Sequence, residues 1–73
     1  MINYIIKIMD EEKLFSKNVR CINPPKMTSF YVNCTYFLKY HRMNDIVWYT
    51  AEDGNYVEHT FHENSWQKYF VEI

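Results

Sequence analysis

The sequence predicts a small antiparallel sheet of four or five strands, α+β in class but tending to all-β, with at most one or two short helical segments. Three observations lead there. Apolar and polar residues alternate with a period of two over long stretches, which is the pattern of a half-buried strand. Residue types that favour strands dominate, and seven Tyr, five Phe and two Trp bring the aromatic share to 19%. The single glycine, Gly54, follows an aspartate between two such stretches, as hairpin turns do.

The elements follow in order along the chain. Residues Ile2 to Met9 are β-branched and aromatic, with Tyr4, Ile6 and Ile8 on one apolar face, and predict a first strand. Asp10 can cap a short helical turn over the residues after it, since Glu11 and Glu12 suit a first turn and Lys13 and Lys17 lie further on. Val19 to Ile22 predicts a short strand, stopped by Asn23-Pro24-Pro25 because proline lacks the N–H that a central ladder needs.

Met27 to Lys39 predicts the longest strand. Phe30, Val32, Cys34, Tyr36, Leu38 and Tyr40 fall on a core face, and Tyr31, Asn33, Thr35, Phe37, Lys39 and His41 on a mixed one. Arg42 to Asp45 reads as a turn and Ile46 to Thr50 as the next strand. Asp53-Gly54 reads as a hairpin turn with Gly54 at positive φ, and Tyr56 to Phe61 returns as its partner. In the last ten residues, Trp66, Tyr69, Phe70 and Ile73 have helical spacing behind a cap at Asn64 or Ser65. A final strand is favoured over that helix, because Tyr, Phe, Val and Ile are strand formers.

All 73 residues make one domain, 1–73, without repeats or a linker. A chain of this size buries only about 60% of the surface that its unfolded form exposes, so large rings matter to closing its core. Asn, Ile, Tyr, Lys and Phe are abundant while Gly, Ala and Arg are scarce, a bias that suggests AT-rich coding and a phage or low-GC bacterial origin. No secretory leader and no long apolar run is visible in the sequence, and the expectation is a soluble, cytoplasmic protein with Cys21 and Cys34 reduced.

Charge is segregated. Residues 1–12 carry a net −2, residues 13–44 a net +6 without any acid, and residues 45–73 a net −5, giving −1 in all. Two arrangements satisfy this. Acids and bases can pair across neighbouring elements, or a dipolar surface can survive to steer a charged partner.

Little in the sequence speaks for chemistry. Cys21, Cys34, His41, His59 and His62 are the candidate metal ligands, but no C-x-x-C pair exists and the spacings are irregular, so neither a metal nor a cofactor is expected. Cys34 with a histidine could form a nucleophilic pair, and Glu58 with Glu63 an acid–base pair, yet no nucleophile elbow or phosphate-binding glycine loop accompanies them. The expectation is a non-enzyme.

The aromatic and basic residues of the long strand are more telling. Tyr31, Phe37, Lys39, His41 and Arg42 are the candidate partner-binding residues. They suit a small protein-binding module, an inhibitor or modulator of a larger protein, that uses an aromatic sheet face or an edge strand. Rings beside positive charge also suit single-stranded nucleic acid, although a pI near 6.3 is low for such a binder. A structural subunit of a homo-oligomer is a third reading. A homodimer or an obligate complex is expected, because one sheet with little helix leaves a face uncovered.

Overall fold

The computed structural model describes residues 11–73. The predicted strand Ile2–Met9 and the cap at Asp10 lie outside them. Five strands form one sheet: β1 (Lys17–Cys21), β2 (Thr35–Met43), β3 (Ile46–Glu52), β4 (Glu58–His62) and β5 (Phe70–Glu72). Their spatial order is β4-β3-β2-β1-β5, and each neighbouring pair is antiparallel. A short helix, α1, covers residues 11–15, and a 3-10 turn covers Ser65–Lys68. The expected fold class is therefore the observed one.

Three pieces, α1, the 3-10 turn and the loop after β1, pack through Phe15, Trp66 and Phe30 against one side of the sheet. Val19, Cys21, Leu38, Tyr40, Tyr49, Ala51, Phe61 and Phe70 point to that side and are buried with Phe30 and Trp66, which close the core from the loop after β1 and from the 3-10 turn. Ring packing holds the layer together. Phe30 meets Phe70 edge-on with centroids 5.2 Å apart, Phe61 meets Phe70 at 5.5 Å, and Phe15 of α1 lies 5.1 Å from Tyr40.

The structure corrects the longest predicted strand. Pairing begins only at Thr35, and residues 27–34 form a folded loop in which Met27 and Asn33 take left-handed φ values of 61° and 69°. Asn33 N donates to Cys21 O at 2.8 Å and Cys34 N to Tyr31 O at 3.1 Å, which turns the chain back on itself. The expected core face breaks accordingly: Phe30, Leu38 and Tyr40 are buried, whereas Val32 and Cys34 are exposed. The physical reason is the missing second layer. A strand through Phe30 would leave the sheet bare on that side, while a loop lets Phe30 cap it.

Both hairpins form, with altered turns. Met43 pairs with Ile46, so the β2–β3 turn is Asn44-Asp45 alone, with Asn44 at φ 55°, a conformation that asparagine tolerates better than most residues. In the β3–β4 turn the left-handed residue is Tyr56 (φ 62°), and Gly54 has no positive φ. The turn is set by a side chain instead: Asp53 Oδ1 accepts from the N–H groups of Asn55 at 2.9 Å and Val57 at 3.1 Å. Gly54 is needed for close approach. A Cβ there would lie 2.7 Å from Tyr31 Cε2 and 3.0 Å from Ser29 O.

The ambiguous C-terminus divides between its two readings. Ser65–Lys68 is helical in the tight 3-10 form, capped by Asn64 without a side-chain hydrogen bond, and Phe70–Glu72 is the edge strand β5. Trp66 is buried by the first and Phe70 by the second.

Candidate functional site: the open face of the sheet

Among the described residues the face away from the core carries no covering strand or turn, and α1 reaches only its rim, through Glu12 to Lys39. Side chains at alternate positions share a face, and cross-strand partners share it too. Phe37, Lys39, His41 and Met43 of β2 therefore stand beside Thr50, Trp48 and Ile46 of β3, and beyond those lie Thr60 and His62 of β4. Phe37 is 55% exposed, Met43 65% and Ile46 66%, a high exposure for large apolar side chains on paired strands.

Of the five residues singled out from the sequence, this face gathers Phe37, Lys39 and His41. Tyr31 and Arg42 lie elsewhere. Tyr31 sits in the loop that closes the core side, where its N–H donates to the Tyr36 hydroxyl at 2.8 Å. Arg42 alternates to the core side at the end of β2, where it donates to Asn44 O at 2.8 Å and to Glu11 Oε1 at 3.1 Å.

Trp48 is the residue that sequence reasoning missed. His41 stacks on it with centroids 5.4 Å apart and planes 7° from parallel, while His41 Nε2 and Thr50 Oγ1 share a 2.7 Å hydrogen bond. His62 faces Trp48 from the other side. The signal was present in the Asn44-Asp45 turn, because a two-residue turn places His41 directly opposite Trp48.

The charges of this region are paired. Lys39 meets Glu12 at 3.4 Å and Arg42 meets Glu11 at 3.1 Å, both acids being on α1, and Lys17 meets Glu72 of β5 at 3.7 Å. Three of the six cations in residues 13–44 thus draw acids from both flanks of that segment. Glu52 and Glu58 are direct cross-strand partners, a like-charge pair beside Phe37. Those two carboxylates, Phe37, Lys39 and Thr50 line a shallow groove of about 230 Å³.

The other titratable cluster is structural. Asp53, with a side chain 4% exposed, accepts from Ser29 N at 3.0 Å and from His59 Nε2 at 2.8 Å, besides its two turn bonds. Burial pushes its carboxyl up, but the hydrogen bond from His59 and those from the N–H groups of Ser29, Asn55 and Val57 together outweigh burial and hold it well below the usual carboxylate range. All this bonding ties the β3–β4 turn to the Phe30 loop and leaves Asp53 no room for substrate. Burial raises the Cys21 thiol, partly offset by the backbone at Asn23. Among the described residues no group of three His, Cys, Asp or Glu side chains is placed to hold a metal ion, and no helix is long and apolar enough to cross a membrane.

Compared with known proteins, the chain matches no family model, and no curated protein and no solved structure matches it.

Proposed function

We propose that this chain is a non-enzymatic protein-binding module of the cytoplasm whose working surface is the open face around Phe37 and Trp48, and that it modulates a larger partner protein. The observation that carries this reading is the pairing of Lys39 with Glu12 and Arg42 with Glu11. A nucleic-acid platform needs its cations for phosphate, and here Lys39 and Arg42 are already engaged by carboxylates. What remains is exposed rings and aliphatics rimmed by mixed charge, the composition of a protein interface.

The partner's chemistry follows from the groove. Phe37 offers a ring face and Glu52 a carboxylate within one depression. An arginine from the partner, flanked by apolar side chains, satisfies both, stacking on the ring while its guanidinium meets the acid. Peptide display against the immobilised chain tests this. Selection should enrich arginine next to an aromatic or aliphatic residue, and the enrichment should vanish for Phe37→Ala and Glu52→Lys. Selection of peptides without arginine, or micromolar binding of labelled poly-U at physiological salt, would overturn the reading.

A further inference from the structure

We infer that β4 is a dimerisation edge, pairing antiparallel with β4 of a second copy about a two-fold axis at Thr60. The backbone comes first. Asp53 N donates to Val57 O at 3.0 Å, and in an antiparallel ladder hydrogen-bonded and non-bonded pairs alternate from there. Ala51–His59 and Tyr49–Phe61 are then the bonded pairs of β3 with β4. The N–H and C=O groups of Glu58, Thr60 and His62 point away from β3, along an edge that no other described strand covers.

That edge lacks the usual protections. It has five residues, Glu58–His62, with neither a proline nor a lysine, and its ladder to β3 runs the full length without a bulge. The opposite edge, β5, is only three residues long. Side-chain order makes β4 complementary to itself. With Thr60 opposite Thr60 of the second copy, Glu58 of each copy faces His62 of the other, an acid against a base in both places. Glu58, Thr60 and His62 are all exposed and share the open face.

The pairing also relieves a conflict inside each chain. Glu52 and Glu58 stand directly opposite one another. A second copy would bring an imidazole to the far side of Glu58 and leave Glu52 for the groove. On the core side, an open groove of about 340 Å³ runs along β4 between Thr28 and Lys68, which leaves that side of the edge accessible to a second copy. The axis is perpendicular to the sheet, so both open faces end on the same side of one continuous sheet, with five described strands from each copy.

Sedimentation of the full chain at micromolar concentration tests the pairing. The expected species has twice the 9.0 kDa chain mass. Thr60→Pro deletes an N–H that points only outward, so it should leave the ladder to β3 intact and abolish the dimer, with tryptophan near-UV dichroism reporting that the fold is kept. His62→Glu should weaken association about tenfold or more by setting two carboxylates opposite each other. Combining it with Glu58→His exchanges the two partners and should restore the dimer. A wild-type chain that stays at 9.0 kDa overturns the inference, whether the edge is bare or takes a foreign strand. So does a dimer that survives Thr60→Pro but dissociates with Phe37→Ala, since that dimer lies on the open face.

Discussion

Replacing Gly54 by alanine is a sensitive probe of how the β3–β4 turn meets the Phe30 loop. Since Gly54 does not have positive φ, its backbone can be adopted by alanine, and the cost comes from contact alone. The new methyl carbon would sit 2.7 Å from Tyr31 Cε2 and 3.0 Å from Ser29 O. The tyrosine ring is half exposed and can swing away. The carbonyl cannot, because it accepts the Gly54 N–H at 2.9 Å while the Ser29 N–H is held by Asp53 at 3.0 Å. Overpacking against backbone costs about 1–3 kcal/mol. Alanine recovers about 0.4–1 kcal/mol by restricting the unfolded chain. A net loss of about 1 kcal/mol remains, worth about 4–8 °C in Tm for a domain of this size. Urea melts of wild type, Gly54→Ala, Tyr31→Ala and the double variant separate the two contacts. The double variant should recover part of the loss and no more, the remainder belonging to Ser29 O. A Gly54→Ala chain as stable as wild type, or stabilised, would refute the close-approach argument.

Further outcomes follow from burial and titration. Leu38→Ala should cost about 2–5 kcal/mol, enough to unfold much of a small domain, because Leu38 is fully buried; Phe37→Ala on the same strand should change stability by no more than about 0.5 kcal/mol. Asp53 has a folded pKa below its ordinary 3.8, so its contribution is present above that value and is lost as pH falls toward the depressed one. Acid melts of Asp53→Asn should therefore be flatter than wild type below pH 3.8, and an unchanged slope would remove Asp53 from that role. Burial raises the Tyr49 phenol above 10, with Glu63 and Glu72 adding to it, so the stability it contributes is present below 10 and declines as pH rises from there. Tyr49→Phe should delay alkaline unfolding, followed by dichroism.

Much of the fold was legible because burial on one side forces alternation. Leu38 and Tyr40 were placed in the core by parity alone, and the β2–β3 hairpin by its polar turn. The failures have a common cause. Periodicity reports which side a residue would face if the strand continued, and carries no information on whether pairing continues. Between Met27 and Cys34 the pattern suited a strand, yet the sheet needed a lid more than a longer ladder, and Phe30 supplies it from a loop. Gly54 departs from its expected positive φ for a related reason. Glycine marks both positive φ and lack of space, and only the neighbouring loop, remote in sequence, distinguishes them.

The candidate site was legible in part, and the division is instructive. Phe37, Lys39 and His41 belong to one strand, so local alternation suffices to group them. Tyr31 joins them only if β2 is extended back past Thr35, where pairing begins, and Arg42 only by proximity in sequence. Trp48 and Glu52 require pairing information, as does the neutralisation of Lys39 by Glu12, which spans 27 positions of sequence. The last relation supports the proposed function. Read along the chain, residues 13–44 look like a basic platform for phosphate; folded, Lys17, Lys39 and Arg42 are answered by acids of α1 and β5. The pairing of charges, which supports the proposed protein interface over a nucleic-acid one, is something local composition does not encode.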